Sequence, residues 1–214
     1  MQLEGRACIV TGAAGGIGAA IVKTFVARGA SVLATDLDMA ALEASLDGLS
    51  RDRVLACAHD VSDEGQWAEV TALAAERFGG LDVLVNNAGV FLFEAIESMT
   101  LSQWRRMSQV NLDGPFLGTK HAIGVMKDPQ RRARGTASIV NMSSVAGMRG
   151  SANLSAYCMT KGGLRLFSKA AAAECGALGI RVNSIHPGVI DTEMGMSAAR
   201  QRLESRGMDA ARAC

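Results

Sequence analysis

Residues 7–11, Ala-Cys-Ile-Val-Thr, form a short apolar run that leads straight into Gly12-Ala13-Ala14-Gly15-Gly16-Ile17-Gly18 and then a helix-forming stretch. Glycines at such a junction let the backbone turn sharply and approach a bound group closely. A helix that begins there points unpaired N–H groups and a partial positive charge at whatever lies in front of it. With a strand before and a helix after, the turn reads as a cradle for a pyrophosphate rather than as tight strand–helix packing alone.

The rest of the chain repeats this unit. Short apolar runs recur at 31–35, 54–58, 83–86, 138–142 and 181–185. Most are continuous and rich in Val, Ile or Leu, the pattern of strands buried on both faces. Between them lie helical stretches at 17–28, 39–49, 63–77, 101–126 and 156–177. Thr100 and Gln103 fit a capping box opening the fourth. Gly29 and Gly79 stand where helix C-termini favour glycine. The alternation predicts an α/β fold of Rossmann type, a doubly wound parallel sheet covered by helices. A length of 214 residues suits one domain spanning 1–214.

Charge and cysteine usage remove several function classes. A formal net charge of +1 gives no general attraction to nucleic acid or to an anionic membrane. Lys127, Arg131, Arg132 and Arg134 cluster in KDPQRRAR, which reads as a solvated loop before the fifth strand rather than an anion patch. Cys8, Cys57, Cys158, Cys175 and Cys214 are odd in number and lack CxxC spacing. They read as free thiols in a reducing compartment, so neither a disulfide framework nor a metal site is expected. No signal peptide opens the sequence, and no apolar run approaches the ~18 residues of a spanning helix. The expectation is a soluble, cytoplasmic protein.

Asp36 closes the second strand, eighteen residues past Gly18. A carboxylate there accepts hydrogen bonds from both adenosine ribose hydroxyls and repels a 2′-phosphate. Neither Gly15 nor Leu37 supplies a basic group to neutralise such a phosphate, so the expected cofactor is NAD rather than NADP. Further on, Tyr157 and Lys161 are four residues apart and Ser144 precedes the tyrosine by thirteen. Positions i and i+4 share a helix face, which brings the phenol and the ammonium to one pocket. A free phenol with a pKa near ~10 is a poor acid or base at neutral pH. A neighbouring cation lowers that value.

With these residues in hand, the chain resembles the short-chain dehydrogenase/reductase family over nearly its whole length. TGAAGGIG at 11–18 resembles its glycine turn, with Gly12, Gly16, Ile17 and Gly18 at the cofactor. Asp60-Val61 resembles its adenine-contacting pair, and Asn86-Asn87-Ala88-Gly89 its NNAG signature. Pro187, Gly188 and Val189, followed by Thr192, resemble the loop that holds the nicotinamide carboxamide. Asn111, Ser144, Tyr157 and Lys161 match the catalytic tetrad.

The resemblance implies roles for these residues. Tyr157 acts as general acid in reduction and general base in oxidation. Lys161 depresses its pKa and holds the nicotinamide ribose. Ser144 binds the substrate oxygen, and Asn111 positions a water that links Lys161 to solvent. Ser143 is structural on this reading, and His59, His121 and His186 have no catalytic part. It also implies the strand order 3-2-1-4-5-6. Family members usually continue past this point with a substrate-covering segment and a seventh strand. Nothing resembling that strand follows here, and 197–214 reads as a polar helix ending at Cys214. Full activity and the usual homo-oligomer, a tetramer or dimer, would need the missing segment.

For substrate, RVNSIHPGVIDTEM at 181–194 is similar to members acting on cyclic alcohols and hydroxysteroids. Phe91, Leu92, Phe93, Val145, Met148, Met194 and Met196 would wall an apolar pocket for a bulky secondary alcohol or ketone. The alternatives are a 3-oxoacyl-thioester reductase, which Asp36 disfavours, and a catalytically idle dinucleotide-binding scaffold, which the tetrad disfavours.

Overall fold

The computed structural model of the chain describes residues 2–133 and 135–205. Six strands, β1 (Ala7–Thr11), β2 (Ser31–Asp36), β3 (Val54–Ala58), β4 (Val83–Asn86), β5 (Ala137–Met142) and β6 (Ile180–Ile185), form one sheet in the order β3-β2-β1-β4-β5-β6. Every neighbouring pair is parallel. The α-helices are α1 (Gly16–Ala27), α2 (Met39–Ser45), α3 (Glu64–Phe78), α4 (Leu101–Ser108), α5 (Gly114–Met126), α6 (Ser155–Cys175) and α7 (Glu193–Glu204).

The continuous apolar runs are explained by two cores, one on each face of the sheet. Side chains alternate sides along a strand. Ile9, Leu33, Leu84, Ile139 and Val182 therefore meet Trp67 and Val70 of α3, Leu117 and Met126 of α5, and Ala171 of α6. Cys8, Val10, Val32, Ala34 and Val85 meet Val22 of α1 and Leu42 of α2 on the opposite face. Parallel strands leave the chain on one edge and return on the other. All six C-terminal ends thus open toward one side, which is where an open α/β sheet binds ligands.

The helix ends follow the expected chemistry. Thr100 and Gln103 complete the capping box of α4. Asp63 caps α3 by accepting from the Gln66 N–H, and Gly79 ends that helix at φ 80°. Three expectations need correction. Helix α2 stops at Ser45 rather than 49, because the chain turns through Gly48 at φ 78°. The stretch 101–126 is not one regular helix, since a π-helical turn, Gln109–Asp113, separates α4 from α5 and carries Asn111. Helix α7 starts four residues before the expected 197, capped by the Thr192 hydroxyl on the Gly195 N–H at 3.1 Å. The remainder of that predicted helix, 206–214 with Cys214, lies outside the described residues, as does Arg134.

Within the basic loop before β5, Arg131 is exposed while Arg132 is tied into the fold. Arg132 donates to the carbonyls of Leu178 at 2.8 Å and Gly135 at 3.1 Å, closing the corner between α6 and β6. At the N-terminal edge of the sheet, buried Asp82 accepts from Arg6 at 2.7 Å, from the Ala7 N–H at 2.9 Å and from the Ala133 N–H at 2.9 Å. Cys8, Cys57, Cys158 and Cys175 are free thiols. No group of side chains among the described residues could hold a metal ion, and no helix among them is long and apolar enough to cross a membrane.

Candidate active site

A cleft of about 530 Å³ runs along the C-terminal ends of the strands. Its walls include Gly12, Gly16, Ile17, Asp36, Asp60, Val61, Asn87, Ala88, Gly89, Ser144, Tyr157, Lys161, Pro187, Gly188, Val189 and Thr192. These are the expected site residues except Gly18 and Asn111, which stand behind the wall.

The glycine turn is held from behind. Asn87 donates to the carbonyls of Thr11 at 2.9 Å and Gly12 at 3.0 Å. The Thr11 hydroxyl accepts from the N–H groups of Asn87 and Ala88, both at 3.0 Å. Asn87 is thus a clamp between β1 and β4 as much as a wall of the cleft. A side-chain carbon at Gly12 would sit 2.8 Å from the Ala88 Cα, and one at Gly18 would collide with the Gly12 carbonyl. Helix α1 has no side-chain cap at Gly15, so its first N–H groups are left for a ligand. That uncapped terminus, facing the cleft behind a bare glycine turn, fits the pyrophosphate of a dinucleotide.

At the adenosine end, one Asp36 oxygen accepts from the Ala14 N–H at 2.9 Å and the other from the Leu37 N–H at 2.8 Å. The carboxylate keeps lone pairs directed at the cleft. Asp60 is held by the Ser62 hydroxyl at 2.7 Å and the Ser62 N–H at 2.9 Å. Those two bonds, with help from the Arg106 charge, pull its carboxyl below the ordinary range. Val61 packs on Gly114 and lends its carbonyl to the Trp67 indole N–H at 2.8 Å. His59 bonds the Thr35 hydroxyl at 3.1 Å and stacks edge-on to Trp67. Burial lowers its pKa to about 4, which keeps it neutral.

At the other end, Ser144, Tyr157 and Lys161 converge. Helix α6 carries the last two on one face. Backbone bonds from Ser143 to Ile185 at 2.8 Å and from Val145 to Pro187 at 3.0 Å stitch the Ser144 segment to the end of β6. His186 adds a third tie, its Nδ1 to the Ser144 carbonyl and its Nε2 to the Ser184 hydroxyl, each at 3.0 Å. A carbonyl only accepts, so Nδ1 carries the proton and Nε2 accepts. Ser143, which also lines the cleft, donates to the Lys161 carbonyl at 2.8 Å. His121 lies beside Glu64 on the outer face of α5, away from the cleft.

Lys161 is only 4% exposed. Its ammonium donates to the Met142 carbonyl at 2.9 Å and lies 5.8 Å from the Tyr157 ring centroid. Desolvation lowers its pKa to about 8. The Tyr157 phenol moves the opposite way from the expected depression. Burial raises its pKa, and the Ser144 hydroxyl offsets only part of that. Among the described residues the Lys161 ammonium makes its one hydrogen bond to the Met142 carbonyl, and it has no part in the shift of the phenol. Asn111, fully buried in the π turn, binds both backbone groups of Val90, each at 2.9 Å. Its Oδ1 and the Lys161 ammonium both crowd Gly89.

The apolar wall is narrower than expected. Phe91, Phe93, Val145 and Met194 line the cleft, joined by Leu154, Ile190, Ala198 and Ala199. Leu92, Met148 and Met196 do not. In an extended segment 91 and 93 face one way and 92 the other. On a helix 194 and 198 share a face that 196 does not.

Residues 6–203 match the family model described as short chain dehydrogenase. The NADP-dependent (R)-specific alcohol dehydrogenase of Lentilactobacillus kefiri is 39% identical over 210 residues, 96% of this chain and 82% of that protein. The 3-alpha-(or 20-beta)-hydroxysteroid dehydrogenase of Mycobacterium tuberculosis (strain ATCC 25618 / H37Rv) is 40% identical over 196 residues, 90% of this chain and 72% of that protein. The crystal structure of levodione reductase superposes with a TM-score of 0.87 at 33% identity, covering 97% of this chain and 81% of that one. The chain belongs to the short-chain dehydrogenase family. It is an oxidoreductase of that family's type, working with a nicotinamide dinucleotide.

Proposed function

We propose that the chain interconverts a secondary alcohol and a ketone, bulky or cyclic in body, with NAD(H). The observation that carries this reading is the convergence of Ser144, Tyr157 and Lys161 in an apolar-walled cleft continuous with the bare glycine turn. When bound, the nicotinamide ring supplies or accepts the hydride. Tyr157 donates a proton to the substrate oxygen in reduction and removes it in oxidation. Ser144 holds that oxygen against the phenol, and Lys161 offers its ammonium to the nicotinamide ribose. Asn111 fixes residue 90 and so the floor beneath Lys161. Positioned acid–base chemistry of this kind contributes roughly 10²–10⁴-fold.

Asp36 supports NAD. It ends β2 beside the glycine turn, and no cation lines the cleft at Gly15 or Leu37. The Lentilactobacillus relative is named as NADP-dependent, which makes the choice worth direct measurement. Initial rates of cyclohexanol oxidation with NAD⁺ and NADP⁺ test both halves of the reading. Asp36→Ala should narrow the NAD⁺ preference by about tenfold or more, since hydrogen bonds to a charged group are worth roughly 1.5–3 kcal/mol. Equal use of the two cofactors by the unaltered chain would refute the NAD assignment. Absence of turnover across a panel of cyclic secondary alcohols would refute the substrate class.

A further inference from the structure

Three cations line the cleft: Arg106, Lys161 and Arg202. Lys161 belongs to the catalytic end, and Arg106 acts on Asp60 at the adenosine end. Arg202 has no part in the chemistry described so far. It sits on the last turn of α7, which crosses the cleft. The first turn of α7 is anchored at the glycine turn, where the Thr192 side chain fills the space a side-chain carbon at Gly16 would need. The last turn is anchored on the opposite rim, where Arg202 donates to the Ser151 hydroxyl at 3.1 Å. That rim also carries Leu154, and the Asn153 carbonyl there accepts from the Glu94 N–H at 2.8 Å.

Met194, Ala198 and Arg202 recur every four residues, share one helix face, and all line the cleft. The step from Met194 to Arg202 is about 12 Å along the axis, and Ala198 leaves room midway. Among the described residues Arg202 forms no ion pair. The Glu94 carboxylate on the same rim is turned onto the Ala95 N–H at 3.2 Å. Arg202 therefore presents a solvent-exposed guanidinium, steadied by one neutral hydroxyl, at the mouth of the cleft.

We propose that Arg202 is a specificity-determining residue that binds a carboxylate on the substrate, remote from the reacting carbon. This rests on the reading above and sharpens it: the substrate is a cyclic or similarly bulky hydroxy acid, or the corresponding oxo acid. Its alcohol lies at Ser144 and Tyr157, its body against Phe91, Phe93 and Ala198, and its carboxylate at Arg202. The planar guanidinium fork matches a carboxylate with two parallel hydrogen bonds, and the Ser151 contact occupies only one of its five N–H donors.

The test compares trans-4-hydroxycyclohexanecarboxylate with its methyl ester, which keeps the body and removes the charge, using NAD⁺ and the full chain. The unaltered chain should favour the acid. Arg202→Gln should lower kcat/KM for the acid about fivefold, mainly through KM, the scale of an exposed ion pair, and leave the ester nearly unchanged. Arg202→Lys should restore part of the loss. Cyclohexanecarboxylate, which has no alcohol to react, should bind the NADH complex, followed by NADH fluorescence, and lose affinity in Arg202→Gln. Equal losses on acid and ester, or no loss on either, would overturn the proposal while leaving the alcohol-dehydrogenase reading intact. If neither compound is oxidised, that reading fails. The fluorescence titration then still decides whether Arg202 binds the anion.

Discussion

Lys161→Met should make the fold more stable while abolishing turnover. An ammonium with a pKa lowered from 10.5 to about 8 is charged in a place that disfavours charge. The shift of about 2.5 units corresponds to roughly 3 kcal/mol of destabilisation at pH 7. Met is close to lysine in shape and carries no charge. It loses the 2.9 Å charge-assisted bond to the Met142 carbonyl, which costs about 2 kcal/mol. The net expectation is a gain of about 1 kcal/mol at pH 7. The sign is set by the lowered pKa. Below about pH 8 both folded and unfolded lysine are charged and the full penalty stands. Between about 8 and 10.5 the folded lysine is neutral while the unfolded one still binds a proton, so the unaltered chain gains stability as pH rises. At pH 9.5 the remaining penalty is about 1 kcal/mol, and the variant's advantage should be gone. Urea unfolding of both at pH 7 and pH 9.5 reads this directly. A Met variant that is no more stable at pH 7, or whose advantage does not shrink by pH 9.5, would show that Lys161 is not held as a destabilised cation.

Tyr157→Phe should abolish turnover and leave NADH affinity nearly unchanged, as measured by fluorescence titration, because Tyr157 is the single phenol in the chain and its proton is what the step needs. A variant that keeps more than about a tenth of kcat would contradict a role expected to contribute ~10²–10⁴-fold. His186→Ala should lower kcat/KM about tenfold without changing NADH affinity, because it frees the Ser144 carbonyl that His186 holds at 3.0 Å. His186→Gln should recover part of the loss, and an Ala variant with unaltered kinetics would dismiss the tie. Asp82→Ala should cost about 3–5 kcal/mol of stability by thermal or urea unfolding, since it leaves Arg6 and two backbone N–H groups without their partner. A loss of under about 1 kcal/mol would place that cluster with ordinary surface pairs.

The strands were legible because both of their faces are buried. Ile9 and Leu33 point to one core while Cys8, Val10 and Val32 point to the other, so each run reads as unbroken apolar sequence. Helix termini were legible wherever a local side chain makes them, as at Thr100 and Gly79. The π turn was not, because its cause is remote: Asn111 is drawn to the backbone of Val90, twenty-one residues away. The start of α7 carried a local signal, the hydroxyl of Thr192, which the likeness to a cofactor loop obscured. The motifs named Asn87 and Ser143 without revealing that one clamps β1 to β4 and the other pins α6 to β5. The Arg6–Asp82 pair, 76 residues apart, has no local pattern. The Lys161 geometry follows only from where β5 ends, since its carbonyl partner is Met142.

The two ends of the sheet divide stability from function. The N-terminal edge closes on a buried carboxylate with three partners, Asp82, and on Arg132 capping the corner before β6. The C-terminal edge accumulates costs instead. It holds a desolvated lysine, a phenol whose pKa burial has raised, an irregular turn at Asn111 and an uncapped α1. Two of these costs would be relieved by a bound dinucleotide. A pyrophosphate would satisfy the α1 N–H groups, and ribose hydroxyls would give the Lys161 ammonium further partners. An ammonium held nearer the phenol oxygen by such contacts would lower the Tyr157 pKa toward the working range. The raised pKa keeps Tyr157 protonated in the free site, the form that donates in reduction and that must lose its proton before it can act as a base in oxidation. Oxidation with NAD⁺ bound should therefore titrate at a lower pH than the phenol of the free chain, measured by its ultraviolet absorbance. Coincidence of the two titrations would mean that Lys161 does not couple cofactor binding to the acid–base step.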